Sequence, residues 1–224
     1  MLELSLVAAL RAQPRPVLVA LGAHCDDVEI GAGATIAKLS QQVPGLTVVA
    51  TVLASTPPRA AEAFTALPAF AAGAAVDLQV LELPDGRLPE HWLAVKEAVH
   101  ATRDRADAAG GSPGSAAVVL APSAQDAHQD HRLLGEIAPT VFRDQLILSY
   151  EILKYDGDLG RPNVYVAVSE EAARRKSQLL HEHFGSQRGS HLVRRRDVPG
   201  PDAHPRVECN QRYAEAFTAG KILL

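Results

Sequence analysis

The sequence predicts a Rossmann-like, doubly wound α/β fold, with a mostly parallel sheet flanked by helices. Short apolar runs alternate with longer amphipathic segments, and two of the apolar runs end in clusters of ionisable side chains. Hydrophobic residues make up 47% of the 224 residues and aromatic residues only 4%, which suits closely packed layers of sheet and helix. We expect the whole chain, residues 1–224, to form a single domain.

Strands are predicted where a short, continuous apolar run lies between turn-forming residues, the pattern of strands covered on both faces. In chain order these strands are residues 17–21, 46–53, 77–83, 117–120, 146–150 and 164–168. Because helical segments separate most consecutive strands, we expect right-handed crossovers between parallel neighbours.

Helices are predicted from apolar residues at helical spacing and from their end signals, such as Pro44-Gly45 after the second helix and Pro57-Pro58 before the third. The first is a short amphipathic helix within residues 1–16, and the next three cover residues 28–41, 59–72 and 90–109. The fifth follows the polar segment 123–132 and ends near residue 142. The last two cover residues 170–184 and the tail 213–224. Pro139 is expected to interrupt the fifth helix. Residues 185–206 lose all periodicity and are predicted to form an irregular loop at the rim of the site.

Composition excludes several classes of protein. The formal net charge of −4 and the isoelectric point near 6.1 lack the basic surface that nucleic-acid binding requires. No apolar run approaches bilayer-spanning length, and the first residues have no basic segment typical of a signal peptide. Two distant cysteines do not make a disulfide framework. We therefore expect a cytoplasmic protein without nucleic-acid or membrane partners.

Two predicted strands run directly into ligand-type side chains. The first ends in His24, Asp26 and Asp27, and the fourth is followed by His128, Asp130 and His131. Imidazole and carboxylate groups suit zinc, and three protein ligands would leave one position open for water. A carboxylate off the metal could then accept a proton, and a further histidine could stabilise an oxyanion.

Each cluster also has a non-catalytic interpretation. An Asp-Asp pair at a helix start commonly caps the helix, and a lone histidine in a loop commonly makes a structural hydrogen bond. The hypothesis of a site depends on both clusters meeting at one edge of the sheet, where ligands bind in open α/β folds.

The two clusters carry a resemblance to a known family. Residues 23–29, AHCDDVE, resemble the A-H-P-D-D-x-E motif of the PIG-L/LmbE-like zinc-dependent N-deacetylases, and residues 127–132, AHQDHR, resemble that family's H-x-D-H motif. Weaker similarities cover residues 57–62, 83–86, 176–187 and 213–217. The resemblance implies hydrolysis of an acetamido group, mostly on amino sugars, with one zinc ion, and family members often form symmetric homo-oligomers.

The resemblance also implies a role for each matching residue. His24, Asp27 and His131 would bind zinc, Asp26 would be the general base, and His128 would polarise or protonate the tetrahedral intermediate. Asp130 would orient a histidine, and Arg59 and Asp85 would contact sugar hydroxyls. All eight positions are occupied by the residue types that these roles need.

Two departures from the family pattern stand out. Cys25 replaces the proline of the first motif, and we expect a small buried hydrophobe there, not a ligand. The late motif has one residue more than the family's H-x-S-Q, so His181 and His183 are interpreted as surface residues, with an active-site role for His183 as the minority hypothesis.

Three other functions are alternatives. A dinucleotide-binding oxidoreductase would use Gly31 and Gly33, but acidic residues precede them where a pyrophosphate would bind. A noncatalytic binding module would not need both Asp26 and His128. A zinc amidase that cleaves a larger acyl amide or a thiol-conjugate amide would use the same zinc site and differ in the size of its pocket.

Overall fold

A computed structural model describes residues 3–154, 156–187 and 209–222. The helices are α1 (Leu6–Arg11), α2 (Asp27–Gln42), α3 (Pro57–Phe70), α4 (Trp92–Gly110), α5 (Gln129–Val141) and α6 (Glu170–His183). The strands are β1 (Val17–Gly22), β2 (Thr47–Ala54), β3 (Ala75–Leu83), β4 (Ala116–Pro122), β5 (Leu146–Tyr150), β6 (Val164–Ala167) and β7 (Ala214–Thr218). Short 3₁₀ turns cover Leu88–His91 and Gly185–Gln187.

The seven strands form one sheet in the order β3-β2-β1-β4-β5-β7-β6. The first five strands pair in parallel, whereas β7 runs antiparallel to both β5 and β6. This mixed sheet flanked by helices confirms the predicted fold class. The chain reverses its direction of winding next to β1, so β1 and β4 are neighbours at the centre of the sheet, where such folds form their ligand crevice.

Strand β1 is buried on both faces because helices pack on each side of the sheet. Leu18 and Ala20 share one apolar core with α2, and Val17, Val19 and Leu21 share another with α4 and α5. This double cover explains why β1 reads as a continuous apolar run in the sequence. The strand ends at Gly22, so His24 lies two residues beyond it, in the turn at the edge of the sheet.

Gly31 and Gly33 lie inside α2, not in a phosphate-binding loop. A Cβ atom on Gly31 would come within 2.3 Å of the Tyr150 ring, and one on Gly33 within 2.6 Å of the Phe70 ring. The two glycines therefore let bulky neighbours approach the helix closely. This packing role removes the main sequence argument for a dinucleotide site.

Two predictions about the elements were wrong. The tail, predicted as a helix, contains strand β7, whose pairing between β5 and β6 overrides the helical preference of its Ala-Glu-Ala sequence. Helix α5 continues through Pro139 to Val141, because the core packing of Ile137, Ala138 and Val141 offsets the backbone donor that the proline lacks. The short helix predicted within residues 1–16 is present as α1.

Residues 185–187 of the predicted rim loop form a 3₁₀ turn, and the prediction for residues 188–206 lies outside the described part of the chain. Of the helices described, none has the length and apolarity to cross a bilayer.

Candidate active site

The two polar loops meet at the carboxyl edge of the sheet, because β1 and β4 are hydrogen-bonded neighbours. The turn that holds His24 links β1 to α2, and His128 is the N-cap residue of α5, just after β4. The imidazole centroids of His24 and His131 are 5.0 Å apart, and those of His128 and His131 are 4.6 Å apart. The predicted convergence of the two clusters is therefore present in the structure.

Three donor atoms, from His24, Asp27 and His131, face one another. The distance from His24 Nδ1 to His131 Nε2 is 3.0 Å, from His24 Nδ1 to Asp27 Oδ2 3.5 Å, and from His131 Nε2 to Asp27 Oδ2 3.3 Å. Ligands at zinc-bond length around a tetrahedral ion are about 3.3–3.4 Å apart. The three atoms thus have the spacing of one face of a metal coordination tetrahedron.

Other combinations of side chains at this edge have metal-binding potential. His24, His128 and His131 each offer one atom within 4.8 Å of the others, and so do His24, Asp85, His128 and Asp130. Both groups share His24 and His128, so they describe the same small volume. The donor set fits a divalent cation, although the distances alone do not select the ion.

The site favours cations because carboxylates surround its imidazoles. Burial opposes protonation of His24, but Asp27, Asp130 and Asp85 raise its pKa to about 12. Burial also opposes protonation of His131, whose pKa Asp27 and Asp126 raise to about 9. In the opposite direction, burial disfavours the Asp27 carboxylate, yet His131 and His24 hold its pKa well below the ordinary value. A bound cation would take the place of these protons.

The sequence comparison decides the family. The profile described as "PIG-L: GlcNAc-PI de-N-acetylase" matches residues 19–142, more than half of the chain and both polar loops. The chain belongs to the PIG-L family. No curated protein matches the sequence significantly.

Solved structures share the PIG-L fold at low sequence identity. The N,N'-diacetylchitobiose deacetylase from Pyrococcus horikoshii is 18% identical, with a TM-score of 0.66 over 91% of this chain and 83% of its own. The zinc-inhibited form of the teicoplanin deacetylase Orf2 is 17% identical, with a TM-score of 0.68 over 91% and 97%. GalB, the 4-carboxy-2-hydroxymuconate hydratase from Pseudomonas putida KT2440, is 16% identical, with a TM-score of 0.65 over 93% and 97%. At these identities the likeness shows the fold alone.

Asp130 of the second PIG-L motif is fully buried and braces two parts of the site. Its carboxylate accepts the backbone N–H groups of Gly86 at 2.7 Å and Leu88 at 3.0 Å, and it lies 3.2 Å from His24 Nε2. Asp130 therefore orients His24 and fixes the loop after β3. That loop brings the exposed carboxylate of Asp85 to 3.0 Å from the same His24 nitrogen.

Asp126 and Lys154 also support the site, and the sequence analysis gave neither a role. Asp126 Oδ2 lies 3.2 Å from His131 Nδ1 and 3.0 Å from Lys154 Nζ, and Asp126 Oδ1 accepts the His128 N–H at 2.8 Å. A carboxylate behind a metal-binding histidine commonly fixes the ring and its tautomer. The only pointer to this role in the sequence is the place of Asp126 in the polar loop after β4.

Asp26 lies at the N-cap position of α2, but its side chain makes no capping hydrogen bond. Its Oδ1 atom instead lies 2.8 Å from Nη2 of Arg59, on the neighbouring helix α3. Burial raises the pKa of Asp26, and the Arg59 guanidinium opposes that shift. Simple capping therefore does not explain this carboxylate.

The departures from the PIG-L pattern have structural explanations. Cys25 is a free, buried thiol that packs with Val52 and Ala63, as expected of a small hydrophobe. His183 Nδ1 lies 3.1 Å from Thr65 Oγ1, and Ser186, three residues later, hydrogen-bonds to Glu62. His181 and His183 belong to neither group of described side chains that could hold a metal.

Proposed function

We propose that this chain is a metal-dependent N-deacetylase that hydrolyses the acetamido group of an amino sugar or a related small metabolite. The observation that carries the proposal is the 3.0–3.5 Å spacing of donor atoms from His24, Asp27 and His131. PIG-L membership supports the same conclusion. We further propose that one zinc ion is the cofactor, since mixed imidazole and carboxylate ligands suit zinc.

These three residues would hold the metal, and the remaining groups would handle protons. When bound, the ion supplies Lewis acidity, polarising a carbonyl and lowering the pKa of water. We assign Asp26 as the general base, because its carboxylate adjoins the donor set without belonging to it. Asp26 would accept a proton from the attacking water and return one to the departing amine as the C–N bond breaks, releasing acetate and the free amine.

His128 suits the stabilisation of an oxyanion. Its Nδ1 accepts the backbone N–H of Asp130 at 3.3 Å, which leaves the imidazole proton on Nε2. Burial, together with the nearby His131 and His24, lowers the pKa of His128 and so favours its neutral form. A neutral Nε2–H group is a donor that would strengthen its hydrogen bond as negative charge develops on the carbonyl oxygen.

Asp85 and Arg59 are the proposed substrate-binding residues. Asp85 has a side chain that is 78% exposed and lies at the mouth of the site, as a contact to sugar hydroxyls requires. Arg59 contacts Asp26 and Ser186, and 17% of its side chain is exposed. The proposed chemistry implies that the binding partner is a small N-acetylated substrate. That the protein forms a homo-oligomer and that it is cytoplasmic stay predictions.

The hydratase GalB makes a second function worth testing, because it shares this fold over nearly the whole chain. Addition of water to a carbon–carbon double bond also needs a positioned base and an anion-stabilising group. The two reactions differ in their products, since only amide hydrolysis releases an amine.

The deciding experiment is an amine-release screen of the zinc-loaded protein. The panel holds N-acetylated sugars, N-acetylated nucleotide sugars, N-acetylated amino compounds and matched amides with longer acyl groups. It also holds an unsaturated hydroxy-tricarboxylate, whose hydration is followed by its loss of ultraviolet absorbance. We expect amine release from acetylated sugars that disappears in His131→Ala. Preference for longer acyl groups would favour the larger amidase, and hydration without amine release would overturn the deacetylase proposal.

A further inference from the structure

Arg59 is held against Asp26 from several sides. Its Nη2 atom lies 2.8 Å from Asp26 Oδ1, and its Nη1 atom donates to Ser186 Oγ at 3.0 Å. The guanidinium carbon also lies 5.9 Å from the ring centroid of Phe184, which is fully buried. Only 17% of the Arg59 side chain is exposed. The guanidinium therefore has a defined position before any substrate arrives.

Glu62 holds this arrangement in place from one helical turn further along α3. It accepts both the backbone N–H and the Oγ–H of Ser186, each at 2.7 Å, and its Oε2 atom lies 3.6 Å from Arg59 Nη1. Because the Ser186 hydroxyl proton goes to Glu62, the oxygen of that hydroxyl is oriented to accept from Arg59. Arg59 thus donates to the Ser186 hydroxyl, and that hydroxyl donates to Glu62.

This contact engages one oxygen of the Asp26 carboxylate. Arg59 Nη2 approaches Oδ1 at 2.8 Å, and only 12% of the Asp26 side chain is exposed. A planar guanidinium that is itself fixed restricts the rotation of a carboxylate more than a flexible ammonium would. The fixed contact therefore determines the direction in which Oδ2 points.

We propose that Arg59, Glu62 and Ser186 are positioning residues that set the orientation of the Asp26 carboxylate. This inference rests on the proposed function, which makes Asp26 the general base. It gives Arg59 a second role beside the contact to sugar hydroxyls that the family resemblance implies. Glu62 and Ser186 act through Arg59 and do not themselves touch the substrate.

Kinetics separate the two roles of Arg59. The variants are Arg59→Lys, Glu62→Gln and Ser186→Ala, with Phe64→Ala as the matched control on the exposed face of α3. Misplacement of a reacting group by an ångström costs on the order of 100-fold in rate. We expect kcat to fall about 100-fold in Arg59→Lys and about 10-fold in the other two, while KM changes less than about 2-fold and zinc content is unchanged. A rise in KM at constant kcat in Arg59→Lys would overturn the proposal in favour of direct substrate binding.

Crystal structures of the zinc-loaded wild type and of Glu62→Gln test the same idea without an assay. We expect Asp26 to rotate or to lie farther from Arg59 in the variant, with the metal ligands unmoved. An unchanged Asp26 in the variant would overturn the proposal. If the wild type releases no amine from any substrate, the proposed function fails, and the crystallographic comparison still decides whether these residues position Asp26.

Discussion

The Nζ atom of Lys176 lies 2.6 Å from Oε1 of Glu215, and both side chains are buried. Glu215 also accepts the backbone N–H groups of Ala34 and Thr35, at 2.9 and 2.7 Å, and Lys176 donates to the carbonyl oxygen of Ile30 at 2.6 Å. Both charged groups of the ion pair therefore hydrogen-bond to the backbone of α2. The pair ties α6 and β7 to the helix that begins at Asp27.

Removal of either partner should destabilise the protein strongly, because the other charge stays buried. We expect Lys176→Met or Glu215→Gln to lower the free energy of unfolding by about 3–5 kcal/mol, measured by urea denaturation at fixed zinc concentration. The matched control is Arg174→Ala, which removes an exposed i,i+4 pair with Glu170 on the same helix and should change stability little. Equal effects of the control and the buried variants would contradict this role.

The double variant Lys176→Met/Glu215→Leu gives a further prediction about the same pair. Apolar replacement of a buried ion pair is often neutral when the two charges satisfy only each other. Here the carboxylate also accepts hydrogen bonds from two backbone donors of α2, and the double variant would lose both contacts. We therefore expect the double variant to remain destabilised, and recovery to wild-type stability in the same titration would contradict a stabilising role of these backbone contacts.

Such long-range relationships mark the limit of what the sequence predicts. The β1 and β4 runs, the loops after them and the residues that meet there follow from local pattern and family resemblance. Strand β7 does not, because its short sequence has no strand periodicity and gains its partners from β5 and β6. Lys176 and Glu215 are 39 residues apart, and no spacing rule connects them. Asp126 likewise acquires a role only when the fold brings His131 and Lys154 to it.

Gly31→Ala should disturb the packing beside the site. The added Cβ would lie 2.3 Å from the Tyr150 ring, whose hydroxyl donates to the Leu21 carbonyl oxygen at 2.6 Å near the end of β1. Overpacking of this kind costs roughly 1–3 kcal/mol. Thermal unfolding measures the loss, with Gly220→Ala as the control, since nothing lies within 4 Å of its added Cβ. A Gly31→Ala protein as stable as this control would contradict the close approach.

Metal affinity should report the roles of His131 and Asp126 separately. His131→Ala removes one of the three proposed ligands, so we expect it to lose bound zinc on dialysis. Asp126→Asn keeps all three proposed ligands but weakens the group beside His131 Nδ1, so we expect zinc affinity to fall about 10- to 100-fold. Competition with a chelator measures both, and the exposed Asp144→Asn is the control. Full zinc occupancy in His131→Ala would remove His131 from the ligand set.

Asp26→Asn should separate chemistry from metal binding. The amide has nearly the same shape as the carboxylate and Asp26 is not among the three proposed ligands, so we expect zinc content to match the wild type. An amide cannot accept the proton, and loss of a general base costs about 100- to 10,000-fold in turnover. The control Asp104→Asn changes a carboxylate whose side chain is 68% exposed on α4 and should keep full activity. Amine release at wild-type rate by Asp26→Asn would remove Asp26 from the mechanism, and loss of zinc would make it a ligand instead of a base.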